Sequence, residues 1–276
     1  MEHNIIDVLS ECKKILKEHN IRLYDSDAEF IVASVIGKKR NELLPTLTIS
    51  KDDYHMCIEN CFRRSKHEPL DSILGFTEFY GLQVPFSKDV LTPRQETEIL
   101  VDNIVKDIGS KNVKVLDLCS GSGCIGLAIA KSTKAFVYLS DISGVALDIS
   151  MKNAKLNNVD VNYIKSDLFD SITDKFDIIV SNPPYIKTGD LDSLEEEVKL
   201  FDPMIALDGK EDGYYFYEKI IKDLKNHLNK NGKIYFEVGD TQAKYVSDLL
   251  KQDFKDITVI KDYSGVERIV TATLKD

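Results

Sequence analysis

One rhythm in the middle of the chain leaves few folds open to it. Val113-Lys114-Val115-Leu116-Asp117-Leu118 reads as a buried strand, Cys119-Ser120-Gly121-Ser122-Gly123-Cys124 as a turn, and Ile125-Gly126-Leu127-Ala128-Ile129-Ala130 as the start of a helix. A second apolar run, Ala135 to Leu139, ends in Ser140-Asp141; a third, Val161 to Lys165, leads into Ser166-Asp167-Leu168; a fourth is Phe176 to Ser181. Strands that alternate with helices are forced into a parallel sheet, because each crossover returns the chain to the same end. From about residue 95 onward the alternation continues. Helices are predicted over Glu96 to Lys106 and Gly213 to Asn229. Strands are predicted over Lys233 to Val238, Ile257 to Ile260 and Arg268 to Thr273, with Asn231-Gly232 separating the first of these from its helix. No helix separates the last two strands, so they should close as an antiparallel hairpin. The class is α/β.

The first 70 residues have a different period. Ile5, Val8, Leu9, Cys12, Ile15 and Leu16 recur at helical spacing. A second helix is expected around Ala28 to Ile36, capped by Asp25 or Ser26 and stopped by Gly37, and a third over Asp52 to Lys66. The basic end of that third helix, Arg63, Arg64, Lys66 and His67, suits a helix C-terminus; contact with an acidic partner is the sharper alternative. Residues 73–86 alternate around Gly81 and read as a hairpin. The expected division is a helical domain over 1–70, a hairpin linker over 71–94 and an α/β domain over 95–276.

The glycine turn invites a nucleotide-like cofactor, since Gly121 and Gly123 let backbone approach it closely. Asp141, with Ile142 behind it, offers acceptors for a ribose diol at the tip of the second strand. Asp167 could accept from an adenine amine, with Leu168 or Phe169 against the ring. Each acid alone is an ordinary solvated strand end; Asp117, Asp141 and Asp167 on successive strands form a constellation. A dinucleotide is disfavoured. Its fingerprint has three glycines, whereas Cys119 occupies the first glycine place here, and the carboxylate of Asp117 repels a pyrophosphate. The same carboxylate welcomes a cationic amino-acid moiety, which points to S-adenosylmethionine.

After the fourth strand comes Asn182-Pro183-Pro184-Tyr185. Neither proline has an N–H, so the stiff turn offers acceptors: the Pro183 carbonyl and the Asn182 side-chain oxygen. Tyr185 adds a ring face. This is a cradle for an NH2 on a flat conjugated group, either a carboxamide or an exocyclic base amine. A plain Pro-Pro turn with a buried tyrosine is the bland alternative. No general base is assigned; Glu96 and Glu195-Glu196-Glu197 read as structural or solvated.

A net charge of −10 over 276 residues argues against a protein that neutralises duplex phosphates. Five cysteines, an odd number without zinc spacing, suggest reduced thiols in a cytoplasmic setting and no metal. Charged residues interrupt the N-terminal apolar pattern, so no signal peptide is expected, and no run is long enough for a membrane span.

With these motifs in order, the chain resembles the release-factor glutamine methyltransferases (PrmC, also called HemK) of the class I S-adenosylmethionine-dependent fold. The linker signature lies in Glu68 to Gly75 and Val90 to Glu98. Downstream matches are Phe201 to Leu207, Gly209 to Gly213, Glu237-Val238-Gly239 with Gln242, and Asp262 to Arg268. Gln95 replaces a common proline and Met204 a common arginine. The resemblance implies a Rossmann-like sheet, mostly parallel with an antiparallel final strand, behind a small helical domain. It implies the glutamine of the Gly-Gly-Gln loop of class 1 peptide-chain release factors as substrate, with the helical domain as a second contact. Asn182, Pro183, Pro184 and Tyr185 would be catalytic. Asp117, Cys119, Ser120, Gly121, Ser122, Gly123, Asp141, Ile142, Asp167, Leu168 and Asn182 would hold the cofactor. An adenine or guanine amine methyltransferase on nucleic acid stays open, because the same turn fits a base amine.

Overall fold

A computed structural model describes residues 2–276. The chain clusters into two compact units: residues 1–77 with 195–201, and residues 78–194 with 202–276.

The first unit is helical: α1 (Ile5–Glu18), α2 (Tyr24–Val35) and α3 (Lys51–Arg64), with a short pairing of His3–Asn4 and Thr48–Ile49. Its core is the stripe read from the sequence, with Ile5, Val8, Cys12 and Leu16 packed on Ile31, Val32, Cys57 and Cys61. α1 starts at Asn4, whose side chain accepts the Ile6 N–H at 2.8 Å; Ser50 caps α3 in the same manner. The expected cap of α2 is corrected. That helix begins behind Leu23 with no side-chain cap, because Asp25 pairs with Lys13 and the Ser26 hydroxyl donates to the Leu23 carbonyl.

Two residues of the basic end of α3, Arg63 and Arg64, are engaged inside the unit. Arg63 grips Glu68, and buried Arg64 donates to Asp27 at 2.8 Å, to Glu197 at 3.1 Å and to the Glu68 carbonyl. Asp27 is only 4% exposed. Removing Arg64 would strand its charge, so Arg64→Leu is expected to cost about 3–5 kcal/mol in denaturant unfolding.

The hairpin β1 (Phe76–Phe79) and β2 (Leu82–Pro85) turns at Gly81, where φ is +74°. Behind it come α4 (Glu98–Ile108), β3 (Lys114–Leu118), α5 (Cys124–Ser132), β4 (Phe136–Asp141), α6 (Gly144–Asn157), β5 (Asn162–Lys165) and β6 (Phe176–Ser181). Then follow α7 (Tyr215–His227), β7 (Leu228–Glu237), α8 (Ala243–Leu250), β8 (Phe254–Lys261) and β9 (Glu267–Leu274). The seven-stranded sheet runs β8-β9-β7-β6-β3-β4-β5. Strands β3 to β7 are parallel; β9 is antiparallel to both neighbours, as expected of the final strand.

Alternate side chains face two cores. Val115, Val137, Leu139 and Val180 meet α4, α5 and α6 on one face. Leu116, Leu118, Ile179 and Phe236 meet α7 and α8 on the other. Burial on both faces is why these strands read as continuous apolar runs. From β3 the chain moves outward to β4 and β5, then returns to β6 on the opposite side of β3. That reversal is the switch point at which open α/β sheets bind ligands.

Candidate active site

Register alone gathers the candidate residues. Asp141 pairs with Lys165, Leu118 with Ser140 and with Ser181, and Ser181 with Phe236. The carboxyl ends of five strands therefore lie side by side. Read across the sheet, their tips are Ser166-Asp167, Asp141, Cys119, Asn182 and Glu237. Over them opens a cavity of about 520 Å³, a size suited to a cofactor. Cys119, Ser120, Gly121, Ser122, Asp141, Ile142, Asp167, Leu168, Asn182 and Pro184 line it. Asp117, Gly123, Pro183 and Tyr185 are not among its lining residues.

The turn after β3 is wound through left-handed backbone at Cys119 (φ 63°), Gly121 (φ 53°) and Gly123 (φ 77°). Cys119 adopts this conformation with a Cβ, a strain typical of ligand-binding turns. The Ser120 N–H donates to the Ser140 carbonyl at 3.0 Å, and the Gly121 N–H to Asp141 Oδ2 at 2.8 Å. Asp141 Oδ1 accepts the Ser143 N–H at 2.9 Å, so one carboxylate ties the glycine turn to the start of α6. The two glycines serve different ends. A Cβ on Gly121 would project into open space, whereas one on Gly123 would meet Ser150 Cβ at 2.8 Å and Leu139 Cδ1 at 2.9 Å.

A third glycine escaped the sequence reading. A Cβ on Gly126 would sit 2.2 Å from Leu139 Cδ2 and 3.0 Å from Asp117 Oδ2. Gly121, Gly123 and Gly126 thus have full dinucleotide spacing, and the glycine count does not separate the two cofactor classes. The acid before the turn still does. Asp117 is fully buried; its Oδ2 accepts the Gly126 N–H at 2.8 Å and its Oδ1 has no partner. Burial pushes its carboxyl up to about 7, with the Gly126 N–H opposing the rise and the Asp141 charge adding to it. It sits beneath the cavity and is not among its lining residues. Burial likewise pushes the Cys119 and Cys124 thiols up to about 12, so both stay protonated at neutral pH and are poor nucleophiles.

Asn182 leaves β6 beside the glycine turn, and the Ser181 hydroxyl locks the two strands by donating to the Leu118 carbonyl at 2.7 Å. Pro183 and Pro184 are buried behind it. The Tyr185 carbonyl accepts from Gln242 Nε2 at 3.1 Å, while Gln242 Oε1 accepts the Gly239 N–H at 2.9 Å. On the far side, the Ile186 N–H donates to the Leu207 carbonyl and the Gly209 N–H to the Ile186 carbonyl. A Cβ on Gly209 would meet the Tyr185 backbone at 2.7 Å. These contacts give the segments around Gly209 and Gln242 a physical purpose, which is to brace the Asn182 turn.

Residues with no site role in the sequence reading also line the cavity. Thr92, Arg94 and Thr97 come from the segment ahead of α4, and Arg94 is held by Asp202 at 2.6 Å. Their signal was present in the linker signature but carried no chemistry of its own. Among the described residues no group of three or more His, Cys, Asp or Glu side chains could hold a metal.

Comparison with known proteins agrees with this architecture. Residues 7–75 match the family model for the PrmC N-terminal domain, and residues 78–202 that for the methyltransferase small domain. A Clostridium botulinum release factor glutamine methyltransferase is 38% identical, over 96% of this chain and 98% of its own length. One from Thermodesulfovibrio yellowstonii is 39% identical over 80% and 82%. In fold, the chain is similar to a Pyrococcus furiosus methyltransferase, with a TM-score of 0.55 at 17% identity, over 72% of this chain and 91% of that one. Near-complete coverage at such identity, through both the helical unit and the sheet, places the chain in the release factor glutamine methyltransferase family.

Proposed function

We propose that this chain methylates the side-chain amide nitrogen (N5) of the glutamine in the Gly-Gly-Gln loop of class 1 peptide-chain release factors, with S-adenosyl-L-methionine as donor. The observation that carries the reading is the full-length similarity to relatives of that name, which extends through the helical unit. The site fits the donor on its own terms. A glycine without a Cβ faces the cavity, Asp141 stands at its wall, and a buried carboxylate with an unpartnered oxygen lies beneath.

Bound S-adenosylmethionine supplies a methyl group on a sulfonium, an electrophile strong enough for a poor nucleophile. The chain's own residues do the rest. Asp141 would hold the ribose diol and Asp167 and Leu168 the adenine, while the backbone of Gly121 and Ser122 would cradle the donor. Asp117 provides the negative field for the ammonium. The amide nitrogen's lone pair is delocalised, so the Asn182 side-chain oxygen and the Pro183 carbonyl each take one of its N–H bonds. They set the nitrogen in line with the methyl and favour its pyramidal form. The nitrogen that gains the methyl first keeps both hydrogens and carries the positive charge; that cation is a strong acid and loses one proton without a dedicated base. Tyr185 walls the amide plane.

The proposed division of labour assigns residues 95–276 to catalysis, 71–94 to a hairpin linker and 1–70 to a second hold on the release factor. Such a hold raises the effective concentration of a flexible loop at the site. The setting is cytoplasmic, where release factors work. No helix among the described residues is long and apolar enough to cross a membrane.

Asp117 gives a pH test that needs no turnover. Its carboxyl ionises at about 7 in the cofactor-free protein. Below that pH, cofactor binding has to expel its proton. Affinity should therefore fall as pH drops from about 7.5 to 5.5, by up to tenfold per unit. In Asp117→Asn the slope should vanish, as read by titration calorimetry. The function itself is tested by offering labelled methyl donor to release factor, DNA and RNA separately. Label in the release factor alone is expected; label in nucleic acid would favour the base-amine reading.

A further inference from the structure

One buried acid beside the reacting turn has no place in the account so far. Glu237 ends β7, and the parallel register that pairs Ser181 with Phe236 sets it next to Asn182. The residue is 6% exposed, and its Oε2 is buried without a partner. Thr97 and the Asn182 side chain lie near enough to this carboxyl to favour its charged form. Its backbone is pinned as well, since the buried Tyr217 hydroxyl donates to the Glu237 carbonyl at 2.8 Å.

An ionised carboxylate set beside Asn182 by strand register favours one of the two ways its amide can face. A carboxylate only accepts, so the group it meets on Asn182 is the NH2 and not the oxygen. We propose that Glu237 is a positioning residue: its carboxylate takes an N–H of the Asn182 amide and so turns the Asn182 oxygen toward the substrate nitrogen. The inference rests on the glutamine reading above and deepens it. An asparagine amide on an otherwise free strand end has two nearly equivalent orientations. Only one of them presents an acceptor to the substrate; the other would present NH2 to NH2. A fixed acceptor in a dry site needs no reorganisation at the moment of reaction, which is the condition for strong electrostatic catalysis.

The device depends on pH. Burial pushes the Glu237 carboxyl up to about 7, while the Thr97 hydroxyl, Arg268 and the Asn182 amide favour its charged form and Glu96 disfavours it. Around it stand Glu96 and Thr97 ahead of α4, Cys124 on α5, Tyr185 in the turn, Tyr217 on α7 and Arg268 on β9. Cys124, Tyr185 and Tyr217 are all shifted upward and stay neutral through this range. When Glu237 takes up a proton it becomes a donor, and the Asn182 oxygen is drawn back to it, away from the substrate. Turnover should fall as pH drops below about 7.

The test uses the full-length enzyme with asparagine side chains isotope-labelled for NMR; the Asn182 signal is identified by its loss in Asn182→Ala. In the substrate-free wild type the Asn182 amide protons should shift with a midpoint near the Glu237 value. In the near-isosteric Glu237→Gln they should not titrate. With release factor and methyl donor both held at saturation across the pH range, Glu237→Ala should lower kcat by about 100-fold with KM for both substrates little changed. Glu237→Gln, which keeps a carbonyl for the Asn182 NH2, should recover much of that loss and lose the acid limb of the pH profile. An Asn182 signal that ignores both pH and Glu237→Gln would overturn the proposal, as would an unchanged acid limb in Glu237→Gln. Failure of the wild type to methylate release factor would instead overturn the glutamine reading, and the NMR titration would still decide the orientation.

Discussion

Replacing Asn182 with alanine should lower kcat by about 100- to 1,000-fold while cofactor affinity stays nearly intact. The reason is the division of contacts at the strand tips. Asn182 stands at one end of the cavity, while Asp141 and Asp167 stand at the tips of β4 and β5 on the other side of the glycine turn. The side chain's part is to accept an N–H of the substrate amide. Removing it loses both the line of attack and the pull that pyramidalises the nitrogen, neither of which a bound cofactor needs. Single-turnover kinetics alongside equilibrium cofactor binding separates the two. Equal losses in both would show that Asn182 is chiefly a cofactor ligand.

Asp141→Ala should do the reverse. Its carboxylate holds the Gly121 and Ser143 N–H groups and still offers lone pairs to the cavity. Substitution removes the diol's acceptor and unties the turn from α6. Two charge-assisted hydrogen bonds of about 1.5–3 kcal/mol each are at stake. Cofactor affinity should fall about 100-fold or more by calorimetry, with kcat at saturating cofactor changed much less. Affinity within a few-fold of wild type would exclude Asp141 as the diol acceptor.

How far the sequence carried these assignments depends on what each segment buries. Strands β3, β4 and β6 were legible because both faces are apolar, and the glycine turn because nothing else explains Gly121 beside Gly123. The final hairpin followed from the missing helix between β8 and β9. Helix α6 gave no clear stripe. Its inner face carries Ser150 and Asn153 among Ala146, Leu147 and Ala154, and Asn153 Nδ2 donates to the Ser122 carbonyl at 2.9 Å. The helix spends apolar positions on holding the cofactor turn, so its periodicity is blurred where its function lies. Strand β7 begins at Leu228, five residues before the expected start, because Asn231 adopts φ 58° in a bulge that shifts the register to β6.

Other residues were visible only as motif letters. Asp262 turned out to lock the last hairpin, taking the Ser264 and Val266 N–H groups on Oδ1 and Arg268 Nε on Oδ2. Glu237 is a buried acid at the end of an apolar strand, and nothing in a linear pattern says that a neighbouring strand brings it to Asn182. Partnerships made by strand register are invisible until the sheet order is known.

The most direct measurement is peptide mass spectrometry of a class 1 release factor incubated with this protein and S-adenosylmethionine. One added methyl group, confined to the glutamine of the Gly-Gly-Gln loop and missing with Asn182→Ala, is the expected result. An unmodified glutamine in a release factor exposed to active, cofactor-binding enzyme would contradict the account.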